Sequence, residues 1–404
     1  MAISWFYEYG LVIAFYVAAI LLIYFNRSKF EFQGKVVAIY KTKLGIKLMQ
    51  KIADKFPKTI RVLGIVGIYV GFLGMLLMLG MVFWGLYQLV FQPSAPPIFA
   101  PVLPGVSIPG SPVTLPLIEG LIALFVVVVI HEFTHGVLSK AYKIPVKSSG
   151  FVMFGPLPGA FVEPDEKKLK KAKAKVQLSI FAGGPFSNVV LSVILFVVLI
   201  GATSLAINMY SLDGIKVTGF VNESDVLEGG RLQSLQQGEI IHYVNNVEVK
   251  NIYNLSHVLE NASPGDSVLL GTNFGNKTIM LGTSPDNSSH AYIGIFLSHH
   301  IIGNNAVVDN VVFSSVYFWI FGNPFSLSFN DATGLIGWIF LISIGVGIVN
   351  LLPLGPMDGG RMYLIVLEKI FKKKTALKIW ANTASFLLFA LIALVFVPII
   401  RALI

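Results

Sequence analysis

Apolar runs of about 20 residues, the length that crosses roughly 30 Å of hydrocarbon as a helix, fall near 3–25, 62–91, 117–139, 176–206, 333–352 and 379–400. They predict six transmembrane helices. The first run has no positive charge at its amino end and carries Glu8, so it reads as a retained anchor rather than a cleavable signal. Between the fourth and fifth runs the pattern changes. Residues 207–300 contain the alternating runs Gly214 to Val221 and Ser267 to Asn273, with a turn at Ser263-Pro264-Gly265-Asp266. That period predicts a soluble α/β insert. Residues 92–116 hold eight prolines and no charge, which excludes a helix or a central strand and leaves an irregular apolar loop against the membrane surface. Residues 307–326 are too short and too interrupted by polar positions to span, and fit an interfacial segment.

Composition agrees with a bilayer protein: of 404 residues, 55% are hydrophobic and 13% charged. With no cysteine, disulfide frameworks, thiolate zinc sites, thiol nucleophiles and iron-sulfur centres are excluded, and a metal must be held by His, Asp or Glu. The net charge of +9 would suggest nucleic acid in a soluble chain, but the charges are not spread evenly. Of 30 Lys and Arg, ten lie in 26–61, nine in 140–175 and six in 353–378. Those are alternate loops, so the positive-inside rule puts them in the cytosol, and the amino terminus, loop 92–116, block 207–332 and the carboxyl terminus outside. The basic balance is topology, and no nucleic-acid partner is expected. Five asparagines of the block, Asn222, Asn254, Asn261, Asn276 and Asn287, have Ser or Thr two places on, the glycosylation acceptor pattern of an exposed external domain.

The third run ends in His131-Glu132-Phe133-Thr134-His135. On a helix, residues i and i+4 share a face, so both imidazoles can take one zinc ion, and Glu132 can act as general base on water there. A carboxylate near the centre of a membrane helix costs about 2.5–3.5 kcal/mol, which several valines are needed to offset. Groups kept at that cost usually face an aqueous cavity and mark function. A catalytic zinc needs a third protein ligand. His242, His257, His290, His299 and His300 fall in or beside the external block, on the wrong side. The best carboxylate is Asp358, after Pro353 and Pro356 break the fifth run near its inner end and before Gly359 and Gly360, which permit close approach. Counting about 1.5 Å per residue from Pro116 puts His131 roughly 20 Å deep, at a level the inward-running fifth helix also reaches.

HExxH in one span, with Asn350-Leu351-Leu352-Pro353-Leu354-Gly355-Pro356-Met357-Asp358-Gly359-Gly360 after a later one, resembles the site-2 protease family of intramembrane zinc metalloproteases, in a PDZ-containing, prokaryotic branch. Gly184-Pro185-Phe186-Ser187-Asn188 matches a third family element. The resemblance implies one Zn(II) per chain held by His131, His135 and Asp358, with Glu132 catalytic. It implies transmembrane proteins or peptides as substrates, and a role in regulated intramembrane proteolysis. It makes Lys147 to Glu163 a re-entrant hairpin on which an unwound substrate can add as a strand, with a cytosolic turn-rich linker as the alternative. Asn188 and Asn350 become candidates for holding the substrate backbone or oxyanion, with interhelical hydrogen bonds as the alternative. The insert resembles a PDZ domain through Gly238 to Asn246 and Pro264 to Val268. Asn246 stands at the usual turn glycine, and peptide capture and a steric-filter role stay equally open.

The expectation is a multi-pass α-helical membrane protein of about six transmembrane helices with one inserted extracytoplasmic α/β PDZ-like domain. Residues 1–116 form the first helices and loops, 117–206 the first half of a protease core, 207–305 the PDZ-like domain, and 306–404 an interfacial segment and the second half of the core. The protein sits in the cell membrane with its active site toward the cytosol. A metal transporter or a non-catalytic membrane scaffold with a PDZ-like receptor is the competing reading. Neither needs a base between two histidine ligands.

Overall fold

A computed structural model describes residues 2–34, 37–111, 113–155, 157–221, 235–284 and 290–403. Asn222, Asn287 and Pro156 lie outside the described residues. In chain order the elements are α1 (Ala2–Phe25), β1 (Glu31–Gln33), β2 (Val37–Thr42), α2 (Ile46–Lys55), α3 (Pro57–Phe91), α4 (Leu117–Ala141), β3 (Val146–Phe154), β4 (Leu157–Pro164), α5 (Glu166–Lys171) and α6 (Ala174–Met209). There follow β5 (Tyr210–Phe220), β6 (Ile240–Val244), β7 (Val247–Glu248), α7 (Ile252–Leu259), β8 (Ser267–Thr272), β9 (Gly275–Met280), β10 (Gly282–Thr283), β11 (Ala291–Tyr292) and β12 (Ile295–Gly303). The chain ends with α8 (Val311–Phe321), α9 (Phe329–Val349), α10 (Asp358–Ile370) and α11 (Lys373–Leu403). Two compact units result, Met1–Val198 with Leu335–Ile404, and Leu199–Gly334.

In the first unit, α3, α4, α6, α9 and α11 are, among the described residues, long and apolar enough to cross a membrane; α1 contributes a shorter apolar stretch, Gly10–Phe25. Lipid gives apolar helices little reason to associate, so close packing has to. Small residues supply it: Gly64, Gly67 and Gly71 of α3 are buried, with Gly64 against Ser179 and Gly67 against Phe186 of α6. Trp338, Ile339 and Ile342 of α9 pack with Ala123 and Val127 of α4. Pro353 and Pro356 follow the end of α9, and the chain turns before α10 begins at Asp358.

The hairpin expected at 147–163 is β3 and β4, paired antiparallel with Ser149 opposite Val162. It belongs to a larger sheet ordered β1-β2-β3-β4, in which β4 is an edge. Residues 26–61, expected only as a basic loop, thus contribute two strands and the helix α2. That helix is amphipathic: Met49 and Ala53, four apart, are buried, while Lys47, Lys51 and Lys55 lie at a second i, i+4 spacing. Ten of these 36 positions are Lys or Arg, which hides the short hairpin of β1 and β2, and the second partner of β2, β3, lies about a hundred residues away, where no local pattern reports it.

The second unit is built on a sheet ordered β12-β5-β6-β8-β9, with β7 paired to β6. Ile215 and Val217 of β5, Ile241 and Val244 of β6, and Val268 and Leu270 of β8 make its core. Fully burying such a side chain contributes about 1.5–3 kcal/mol. Asn245 and Asn246 both have positive φ, 48° and 64°. An Asn-Asn pair therefore turns β6 into β7 where Asn-Gly is commoner. Residues 307–326 include α8, capped by the Asn310 side chain, which accepts from the N–H groups of Val312 and Phe313. Tyr317 of α8 donates to the Ala202 carbonyl at 2.6 Å.

Candidate metal centre

His131 and His135 sit one turn apart on α4, both buried, with ring centroids 4.9 Å apart. Asp358, at the first position of α10, brings Oδ2 to 3.0 Å from His131 Nε2 and 3.3 Å from His135 Nε2. The three ligand atoms lie within 4.8 Å of one another, and among the described residues this is the one cluster of its kind. The turn that delivers Asp358 depends on Gly359 and Gly360. A Cβ on Gly359 would strike the Leu351 carbonyl, and one on Gly360 the Leu354 carbonyl. Gly359 N–H closes the turn on the Asn350 carbonyl at 2.8 Å.

Whether these residues suit zinc is a question of spacing and room. Ligand atoms about 2.1 Å from a tetrahedral ion stand roughly 3.4 Å apart, close to the separations of Asp358 Oδ2 from the two imidazoles. Room comes from α6, where Gly183 and Gly184 precede Pro185. A Cβ on Gly184 would collide with Nε2 of both His131 and His135, and one on Gly183 with Leu138 of α4. The backbone of α6 is thus flush against the face of α4 where the three ligand atoms meet. Two imidazoles and one carboxylate are a catalytic zinc donor set; the residues fit the ion.

His135 Nδ1 lies 2.7 Å from the Ile180 carbonyl. A carbonyl only accepts, so Nδ1 carries a proton, and in the neutral imidazole Nε2 then presents its lone pair to the cluster. His131 Nδ1 instead meets Asn188, whose Nδ2 is 3.2 Å away. Asn188 is fully buried. Its side chain lies behind the imidazole, away from the open space on which a substrate would draw.

That open space is a cavity of about 410 Å³ lined by His131, Glu132, His135, Asn350, Asp358 and β4 residues 161–164 among others. Glu132 Oε2 accepts the Val162 N–H of β4 at 3.1 Å. Asn350, unlike Asn188, borders the cavity. Glu163, Glu166 and Arg361 also line it, and Arg361 lies 5.2 Å above the Phe181 ring. Sequence reading passed over these three, along with Ile180. Glu163 and Glu166 are brought in by the hairpin and its continuation, and a backbone carbonyl leaves no residue-type signal. Arg361 was legible in principle, one helical turn beyond Asp358.

Comparison with known proteins bears on this arrangement. The model of Peptidase family M50 matches residues 119–394. An uncharacterized protein of Methanocaldococcus jannaschii is 25% identical over 368 residues, covering 90% of this chain and 87% of the relative. A Staphylococcus aureus protein provisionally named a zinc metalloprotease is 46% identical over 39 residues, 10% of this chain and 9% of the relative. Among solved structures, the PDZ domain of an SdrC-like protein from Listeria monocytogenes is similar with 22% identity and a TM-score of 0.18, covering 21% of this chain and 87% of that one.

Proposed function

Because the chain belongs to Peptidase family M50, whose model matches residues 119–394, we propose that it is an intramembrane zinc metalloprotease of the site-2 type, hydrolysing peptide bonds within or near transmembrane segments of membrane proteins. The observation that carries the reading is the convergence of His131, His135 and Asp358 beside Glu132 and an open cavity. His131, His135 and Asp358 would hold one zinc per chain. When bound, the ion would polarise the scissile carbonyl and make water nucleophilic near neutral pH.

Glu132 is the general base, taking a proton from the attacking water and returning it to the leaving nitrogen. Its Oε2 is anchored by the Val162 N–H, which fixes the carboxylate beside the cavity. A helical substrate hides its carbonyls in its own hydrogen bonds, so it has to unwind. The β4 edge, with residues 161–164 on the cavity wall, is where the extended stretch pairs. Asn350, bordering the same cavity, donates to the substrate backbone or the developing oxyanion. The clustering of 25 of the 30 Lys and Arg in three alternate loops supports a cytosolic active site and an external, PDZ-like 207–305. A metal transporter or scaffold accounts for the ligands but not for Glu132.

The test is zinc analysis of purified wild type beside Asp358→Ala, with chelator-sensitive cleavage of a model transmembrane substrate on the same samples. Wild type is expected to carry about one zinc and to cleave; the variant loses both. Lost cleavage with unchanged zinc would remove Asp358 from the ligand set, and a zinc-free, inactive wild type would remove the function.

A further inference from the structure

The two histidines of the cluster are alike in what Nε2 faces and unlike in what Nδ1 faces. A neutral imidazole gives its Nε2 lone pair to a metal only with its proton on Nδ1, and an acceptor there holds it. For His135 the Ile180 carbonyl is that acceptor at 2.7 Å. For His131 the partner at Nδ1 is the Asn188 amide. Its Nδ2 stands 3.2 Å from Nδ1, while its Oδ1 is buried with no hydrogen-bond partner among the described residues.

A buried amide oxygen with nothing to accept loses its hydration without compensation. Rotation of the amide about its last side-chain bond exchanges the two atoms, so that Oδ1 accepts the Nδ1 proton of His131. The rest of Asn188 is held still for this. Its backbone carbonyl accepts from Ser192 Oγ at 2.9 Å and from Ser343 Oγ at 3.0 Å. A Cβ on Gly347 of α9 would come within 3.0 Å of the Asn188 Cβ, so α9 closes on that side. Full burial keeps water from substituting for the amide.

We infer that Asn188 is a positioning residue for the metal site: its side-chain oxygen holds the Nδ1 proton of His131 and so aims the His131 Nε2 lone pair at the ion, as the Ile180 carbonyl does for His135. This rests on the zinc reading above. It moves Asn188 from the substrate side of the chemistry to the side behind the ligand. The Asn188 carbonyl, tied to Ser192 of its own helix and Ser343 of α9, makes the ligand's orientation depend on how α6 and α9 pack.

The experiment is zinc affinity of the purified full chain by competition with a chromophoric chelator, for wild type, Asn188→Asp and Asn188→Leu, each first checked for an unchanged melting temperature without metal. Asp keeps an acceptor and nearly the same shape; Leu keeps the volume and has none. Loss of such a partner typically weakens metal binding about 10–100-fold, so Leu is expected to bind in that range below wild type and Asp to match or exceed wild type. Should Asn188→Leu fail to fold, Asn188→Ala is held to the same threshold. Affinity of the Leu or Ala variant within about twofold of wild type, or equal weakening in Asp and Leu, would overturn the inference and leave the zinc reading standing. A wild type that does not bind zinc would overturn the zinc reading itself, and the inference with it.

Discussion

Glu239 and Asp358 are both acids withdrawn from water, one in the sheet of residues 199–334 and one among the helices, and their surroundings differ. Glu239, with no exposed surface, accepts from Lys277 Nζ at 2.8 Å, Thr272 Oγ1 at 2.5 Å and the Gln236 N–H at 2.9 Å. Both of its oxygens are satisfied and its charge is matched. Asp358 instead shares one oxygen between two imidazoles and borders a cavity of about 410 Å³. A buried charge that is fully matched holds a fold together, whereas convergent lone pairs beside open space are arranged for something that enters. The supporting forces differ too. The sheet has a core of Val, Ile and Leu whose burial is driven by water, while the helices meet through glycines and short hydrogen bonds because lipid provides no such drive.

The comparison is most sharply broken at Glu132. Glu132→Gln keeps size and shape and removes the base. Cleavage of a transmembrane substrate should fall about 10²–10⁴-fold, with zinc content unchanged and thermal stability equal or higher. Cleavage at wild-type rate would show that the carboxylate beside the cavity is as structural as Glu239.

Why Glu132 was visible from sequence and its setting was not follows from range. Spacing along one helix carries the geometry of His131, Glu132 and His135, and two prolines carry the break before Asp358. The period-2 runs likewise announced β5 and β8. No such rule reports that β2 pairs with β3, that Val162 N–H meets Glu132, or that Gly184 is where α6 touches the imidazoles. Those facts belong to pairs of segments far apart in the chain, and each residue alone looks like an ordinary loop valine or membrane glycine.

The sheet's buried pair makes the complementary prediction. Lys277→Met leaves Glu239 buried without its cation, and one-sided loss of a buried pair costs about 3–5 kcal/mol. Lys277 keeps 18% side-chain exposure, which argues for the lower figure, about 3 kcal/mol. Hydrogen exchange in the full chain should show residues 235–284 opening more readily, with zinc per molecule unchanged. Burial pushes the Glu239 carboxyl up, but the hydrogen bonds from Lys277, Thr272 and Gln236 outweigh it and hold its pKa below the ordinary 4.5. The folded state then binds fewer protons than the unfolded one. Its contribution is present above the ordinary value and is lost as pH falls through the depressed one. In Lys277→Met the acid transition of this region should move to higher pH; an unmoved transition would mean that the pair does not govern it.

The smallest effect expected is at Gly184. Alanine there adds one methyl where α6 meets Nε2 of both histidines, and forcing a methyl into a packed site costs about 1–3 kcal/mol. Alanine is a better helix former than glycine, so α6 itself gains slightly. The strain falls where the methyl points and displaces the two imidazoles, so zinc affinity should be lower by roughly 10–100-fold in a protein whose metal-free melting temperature is only slightly lowered. The same exchange at Gly201, nearly five turns on in α6 with no heavy atom within 4 Å of its Cβ position, should leave zinc affinity alone. If Gly184→Ala and Gly201→Ala bind zinc equally well, the close approach of α6 has no bearing on the metal, and the glycine at 184 serves helix packing as Gly64 and Gly67 do.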